Sequence, residues 1–417
     1  MELKRVVVTG LGALTPLGND VPTTWEAMLN GVSGAGAITR FDSSKFKSQF
    51  ACEVKNFDSL KYFDRKEARK YDLFAQFGLA AAEEAVKDSG LDLEKINLDR
   101  AGVIWASGIG GLVTFLDEVT AFAKGDGTPR FSPFFIPKMI ADITAGHISI
   151  KYGFRGPNFA TISACASSAN ALADALNYIR LGKADVFVSG GSEAAVNEAG
   201  VGGFNALHAI STRNDDPSTA SRPFDKDRDG FVIGEGGGSL VFEELEHALA
   251  RGARIYCEVV GAGLSADAYH MTSPHPEGIG AAMAMRLAIE DAGLNLTDVD
   301  HINTHGTSTP LGDVAEVKAI MSVFGDHAYN ININATKSMT GHLLGAAGAI
   351  ESIATVLSVY NDIVPPTINQ FNLDPEIDAK LNFTFNQAQK RVVNVALSNT
   401  FGFGGHNTSL AFKKFKL

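Results

Sequence analysis

Cys165, in TISACASSAN, stands where an apolar extended run over Phe159–Ile162 gives way to a helix of small residues starting near Ala166. A thiol at such a junction meets free backbone N–H groups and the positive end of a helix, and both favour thiolate, the nucleophilic form. Two histidines follow later in the chain: His305 in NTHGTSTPLGD, just past an apolar strand, and His342 in KSMTGHLLGAAGA, at the entry to a second small-residue helix. Lys337 precedes His342 and Glu351 follows it on that helix. Any one of these reads equally as a satisfied core residue. A thiol, two imidazoles, an amine and a carboxylate sharing one pocket would instead support covalent catalysis through sulfur.

The elements that must bring them together repeat along the chain. The Ala-rich helix LAAAEEAVKDSGL, from Leu79, is echoed by MAMRLAIEDAGL, from Met283, and each closes on a glycine, Gly90 and Gly293. The strand AGVIWASGIG from Ala101 is matched by HINTHGTSTP from His301, and ADVFVSGG from Ala184 by VNVALSN from Val393. The cysteine helix is matched by a helix expected over Gly341–Tyr360. These pairs lie about 200 residues apart, the mark of a duplicated α/β unit. The seam falls after LEHALARG, with a new strand expected from Arg254, RIYCEVVGAG, resembling RVVVTGLGAL from Arg5. The expected halves are residues 1–252, carrying the cysteine, and 253–417, carrying both histidines. Ser211–Gly238, rich in Gly, Pro and Asp, is expected to form loops capping the site.

Composition narrows the classes. With 45% hydrophobic and 20% charged residues, the chain is long enough for two packed units. Three cysteines, Cys52, Cys165 and Cys257, are odd in number and lack metal-type spacing, which argues for a reducing compartment and against a disulfide framework or zinc site. GLG after the first strand invites a dinucleotide reading, but the third glycine position holds Thr15. The most apolar window, Gly341–Tyr360, contains His342 and Glu351 and reads as a core helix, not a membrane span. No leader-like segment opens MELKRVVVTG, so a cytoplasmic protein is expected. A net charge of −11 makes nucleic acid a poor partner. Against that charge, KYFDRKEARK sets Lys66, Arg69 and Lys70 at i, i+3 and i+4, on one helical face suited to an acidic partner or simply to solvent.

Taken together, ACASS, THGTSTPLGD, KSMTGHLLGAAG, SRPFDKDRDGFVIGEGGG and SNTFGFGGHN resemble the β-ketoacyl-acyl-carrier-protein synthases, most nearly their type II enzymes, along essentially the whole chain. The resemblance implies a thiolase-like αβαβα sandwich with internal duplication, in a homodimer. It implies decarboxylative condensation of malonyl carried on acyl carrier protein with an acyl group held on Cys165. His305 and His342 would bind the malonyl thioester oxygen, and Lys337 and Glu351 would order them. The N–H groups of Cys165 and Phe401 would hold the tetrahedral oxyanion, Phe401 and Gly402 belonging to a gate turn. Thr307 and Thr309 would hold the pantetheine arm and Ile109 would line the acyl pocket. Lys66, Arg69 and Lys70 would dock the carrier. No metal and no bound cofactor are implied, the substrates arriving on the carrier's phosphopantetheine. Ser163 and His406 stand where the family often has Thr, and His208 where Arg is frequent.

Other classes fit less well. A thiolase would carry a second cysteine near the carboxyl terminus, where neither Cys52 nor Cys257 lies. A cysteine hydrolase needs one Cys–His pair, and a non-catalytic partner subunit would lack the nucleophile. A polyketide or aryl-polyene synthase of the same fold is the rival reading.

Overall fold

The run VVVTGLGAL, Val6–Leu14 (β1), is buried along its whole length, as a strand covered by helices on both faces must be. The computed structural model describes residues 3–416. After β1, the elements that position the site are α1 (Leu73–Ser89), β2 (Ala101–Ala106), β3 (Asn158–Thr161), α2 (Ser167–Arg180), β4 (Val186–Glu193) and β5 (Gly236–Glu244). A second series follows: β6 (Cys257–Ala266), α3 (Ile279–Asp291), β7 (His301–Asn303), α4 (Pro310–Phe324), β8 (Asn332–Asn334), α5 (Ala347–Asn361), β9 (Val395–Gly402) and β10 (His406–Lys413).

The strands hydrogen-bond in the order β8-β7-β9-β10-β6-β1-β5-β4-β2-β3, so each strand of the first series mirrors the strand five places on. Within each half four strands run in one direction and one, β5 or β10, runs against them. The two half-sheets join where Val6–Val8 pairs with Cys257–Val259. Helices α2 and α5 touch each other and both half-sheets, forming the middle layer, while α1 covers the outer face of one half and α3 that of the other. This is the αβαβα arrangement with the expected duplication. The largest hydrophobic cluster lies around α2 and α5, and separate clusters fill the outer layers.

The two GxG pairs explain each other. A Cβ at Gly10 or Gly12 would lie 2.3 or 2.0 Å from the carbonyl oxygens of Ala85 and Ala81 on α1. At Gly261 and Gly263 it would lie 2.2 and 2.0 Å from those of Ala288 and Ala284 on α3. The glycines let an outer helix lie directly on its strand; they bind no dinucleotide.

Three local expectations are corrected. The strand expected from Arg254 begins at Cys257, Tyr256 joining it only through an N–H to the Val8 carbonyl. The helix expected over Gly341–Tyr360 is broken: one turn over Lys337–Thr340 ends at Gly341, with φ +68°, and α5 starts at Ala347. The loop segment from Ser211 is already strand at Gly236. No helix among the described residues is long and apolar enough to cross a membrane.

Candidate active site

Cys165 sits two residues before α2, directly after Ala164, whose φ of +51° bends the chain sharply out of β3. Ser308, near His305, and Leu344, near His342, also hold positive φ values of +67° and +51°. Non-glycine residues in this region are strained, and such strain gathers at working sites. Ala164, Leu344 and both neighbours of Ser308, Thr307 and Thr309, border one cavity of about 570 Å³, lined also by Cys165, His305, His342 and Ile109.

His342 is not on a helix. It is held as an added strand residue, its N–H donating to the Val232 carbonyl at 2.8 Å and its own carbonyl accepting from Gly234 at 2.9 Å. Its Nε2 lies 3.0 Å from Cys165 Sγ. The Leu344 N–H donates to its Nδ1 at 3.3 Å, which leaves the ring proton on Nε2, facing the cavity. His305 follows β7, and the backbone N–H groups of His305 and Gly306 both donate, at 2.9 Å, to the buried carboxylate of Glu316 on α4. Lys337 Nζ approaches His305 Nδ1 at 3.4 Å and pairs with Glu351, so His305 also presents Nε2–H. The two rings stand edge to face with centroids 5.3 Å apart.

Burial, with the Lys337 ammonium adding to it, holds both imidazoles well below their ordinary pKa, so both are neutral donors at neutral pH. The cysteine departs from expectation. Burial pushes the Cys165 thiol up to about 12, against the pull of Lys337 and of the Phe403 N–H. The resting group is therefore a thiol, and thiolate is drawn on only as reaction proceeds.

In the glycine-rich turn the Phe403 backbone N–H meets the Cys165 thiol, and the Phe401 ring packs with its centroid 5.8 Å from that of His305. Gly402 lies against the nucleophile's turn: a Cβ there would sit 3.0 Å from the Cys165 nitrogen and 2.8 Å from the Ser163 oxygen. Thr307 and Thr309 bring their hydroxyls within 3.0 Å of each other at the cavity wall. Lys337 and Glu351 lie buried behind the histidines. Lys66, Arg69 and Lys70 are apart from the cavity lining, exposed on and after a one-turn helix over Arg65–Ala68.

Sequence reading missed Glu316, the Leu344 N–H, Phe403 and Phe231, whose ring meets that of His342 edge-on at 5.1 Å. Of these only Glu316 left a signal, a carboxylate in the helix that follows the His305 turn. The assembled groups can form a thioester on Cys165 and can place two neutral N–H donors on a second carbonyl oxygen beside it.

Comparison with known proteins places this geometry among relatives. Residues 3–248 match the family described as "Beta-ketoacyl synthase, N-terminal domain" and residues 256–371 that described as "Beta-ketoacyl synthase, C-terminal domain". A 3-oxoacyl-[acyl-carrier-protein] synthase 2 of Synechocystis sp. is 50% identical over 416 residues, covering 100% of this chain and 99% of the relative. One from Staphylococcus aureus is 50% identical over 414 residues, covering 99% of each chain. Among solved structures, a ketosynthase bound to a hexaketide, in complex with its type II polyketide acyl-carrier protein, superposes with a TM-score of 0.91 at 35% identity, covering 99% of this chain and 100% of that one.

Proposed function

This chain belongs to the β-ketoacyl synthase family and is a condensing acyltransferase, and on that footing we propose that it is a 3-oxoacyl-[acyl-carrier-protein] synthase of fatty acid biosynthesis. The observation that carries the reading is the pair of Nε2–H donors beside a thiol in one pocket. Sulfur of Cys165 attacks the thioester carbonyl of an acyl carrier, the oxyanion rests on the N–H groups of Cys165 and Phe401, and the pantetheine thiol leaves with the proton. Malonyl carrier then enters. His305 and His342 donate to its thioester oxygen as carbon dioxide departs, and the resulting enolate carbon attacks the acyl thioester on Cys165. Products are a 3-oxoacyl carrier longer by two carbons, carbon dioxide and the Cys165 thiolate, which takes up one proton from solvent to regenerate the thiol. Neutral donors suit this step, because a fixed cation would hold the malonyl carboxylate too tightly in the ground state.

The 50% identity to fatty-acid enzymes against 35% to the polyketide ketosynthase favours the fatty-acid reading over the polyketide or aryl-polyene one. The test is incubation with acyl- and malonyl-loaded carrier. It should yield 3-oxoacyl carrier by mass spectrometry with one carbon dioxide per acyl group consumed; free acid alone would indicate a hydrolase and refute the reading.

The acyl carrier protein is the expected partner, docking on Lys66, Arg69 and Lys70. Reversing all three to Glu should raise KM for carrier-bound substrates about ten-fold or more, most strongly at low salt, since exposed charges steer association and are screened within about 10 Å. A short pantetheine thioester should be processed as before. Equal loss with both substrates would give that helix a purely structural role.

Ile109 is 42% exposed on one wall of the cavity; Phe134, Ile136 and Ile162 are exposed as well, and β3 stands at the end of the sheet. A second copy over this face, a homodimer, would pair the strand edge, bury these side chains and close the acyl pocket; sedimentation as a monomer would refute it. Each methylene buried there is worth about 0.8 kcal/mol, so medium chains should outcompete acetyl until the pocket ends. Ile109→Phe should shift preference toward short primers while short-primer condensation survives, and an unchanged chain-length profile would place the acyl pocket elsewhere. Three buried free cysteines suit the cytoplasm as the site of action.

A further inference from the structure

Glu193 ends β4 fully buried, and no step above takes a proton from it. Its carboxylate accepts four hydrogen bonds from two separate loops. On Oε1 these come from Ser107 Oγ at 2.9 Å and the Ile109 N–H at 3.2 Å; on Oε2, from the Gly108 N–H at 2.7 Å and the Gly345 N–H at 3.0 Å. The first loop carries Ile109, the acyl-pocket residue. The second follows His342 and contains Leu344, whose N–H fixes that ring's tautomer. The loops also touch, a Cβ on Gly345 falling 2.2 Å from the Gly108 nitrogen. With both oxygens shared out among donors, the carboxylate cannot follow one loop without drawing on the other.

We infer that Glu193 is a positioning residue that couples occupancy of the acyl pocket at Ile109 to the setting of His342, so that malonyl is decarboxylated when an acyl chain is in place. An incoming chain displaces Ile109, whose N–H hangs on Oε1. The carboxylate turns, and Gly345 on Oε2 shifts together with the Leu344 amide and the imidazole it holds. This rests on the condensation proposed above and adds a restraint on it: malonyl is not wasted on an empty enzyme.

Glu193→Gln tests the coupling, because its amide N–H₂ would face a backbone N–H in place of one acceptor oxygen. Carbon dioxide release from malonyl carrier is measured with and without a medium-chain primer, alongside acyl loading of Cys165 and the melting temperature. The ratio of primed to unprimed decarboxylation should fall about ten-fold, with acyl loading reduced far less. Equal loss of both half-reactions at an unchanged ratio, or no change in either, overturns the inference. Should that variant not fold, Ser107→Ala removes a single donor from Oε1, and its ratio should fall about three-fold; an unchanged ratio overturns the inference equally. Wild-type protein in the same assay separates the two claims. If it releases no carbon dioxide the condensation reading fails, whereas normal release with unmoved variant ratios removes only the coupling.

Discussion

Cys165→Ala is expected to fold as the wild type does and to form no acyl-enzyme with any primer. The nucleophile carries the covalent route itself, so its removal abolishes acyl transfer and condensation instead of slowing them. The change deletes one sulfur from a residue bordering an open cavity, so stability should move little. An alkylating agent should label Cys165 before Cys52 or Cys257. All three thiols are held protonated by burial, but only Cys165 opens onto the cavity, while Cys257 is inaccessible and Cys52 packs against Gly341. Intact-protein mass spectrometry checks both results, and an acyl adduct on the alanine variant would remove Cys165 from the mechanism.

Replacing either histidine with Ala should lower malonyl decarboxylation by about 10²- to 10³-fold, the usual cost of one donor to a developing oxyanion. The two variants should differ in the first half-reaction. His342 Nε2 lies 3.0 Å from the sulfur, whereas His305 lies against Lys337 and the ring of His342. His305→Ala should therefore load an acyl group at close to the normal rate, and His342→Ala more slowly. Single-turnover loading with a radiolabelled acyl carrier, set beside carbon dioxide release, reads the two steps apart. Equal damage to both steps in both variants would make a histidine the general base of a hydrolase.

The duplication was legible in the chain because it is written in local features: paired helices ending in glycine and paired strands with GxG. The grouping of Cys165, His305 and His342 at one cavity was legible because they sit in short motifs at turns. What escaped was set by contacts between distant segments. Glu316 and Glu193 act on backbone N–H groups, which have no side-chain signature. The thiol's protonation follows from burial by both halves, and a helix start in the sequence points the opposite way. In FGFGG two phenylalanines flank one glycine, and only the folded turn decides which amide reaches the sulfur. The break before α5 is likewise hidden, since a loop of Gly, Leu and Ala has the composition of the helix it interrupts.

The shared middle layer also sets a timetable for synthesis. Helix α2 is complete at Arg180, yet the surface it rests on, α5, is complete only at Asn361. At 5 to 20 residues per second, the roughly 180 intervening residues take on the order of ten to forty seconds to emerge. Throughout that interval the nascent chain carries an apolar helix face with nothing to cover it. Such a chain would lean on holding chaperones at the ribosome, and slow translation through the second half would lengthen its exposure to aggregation.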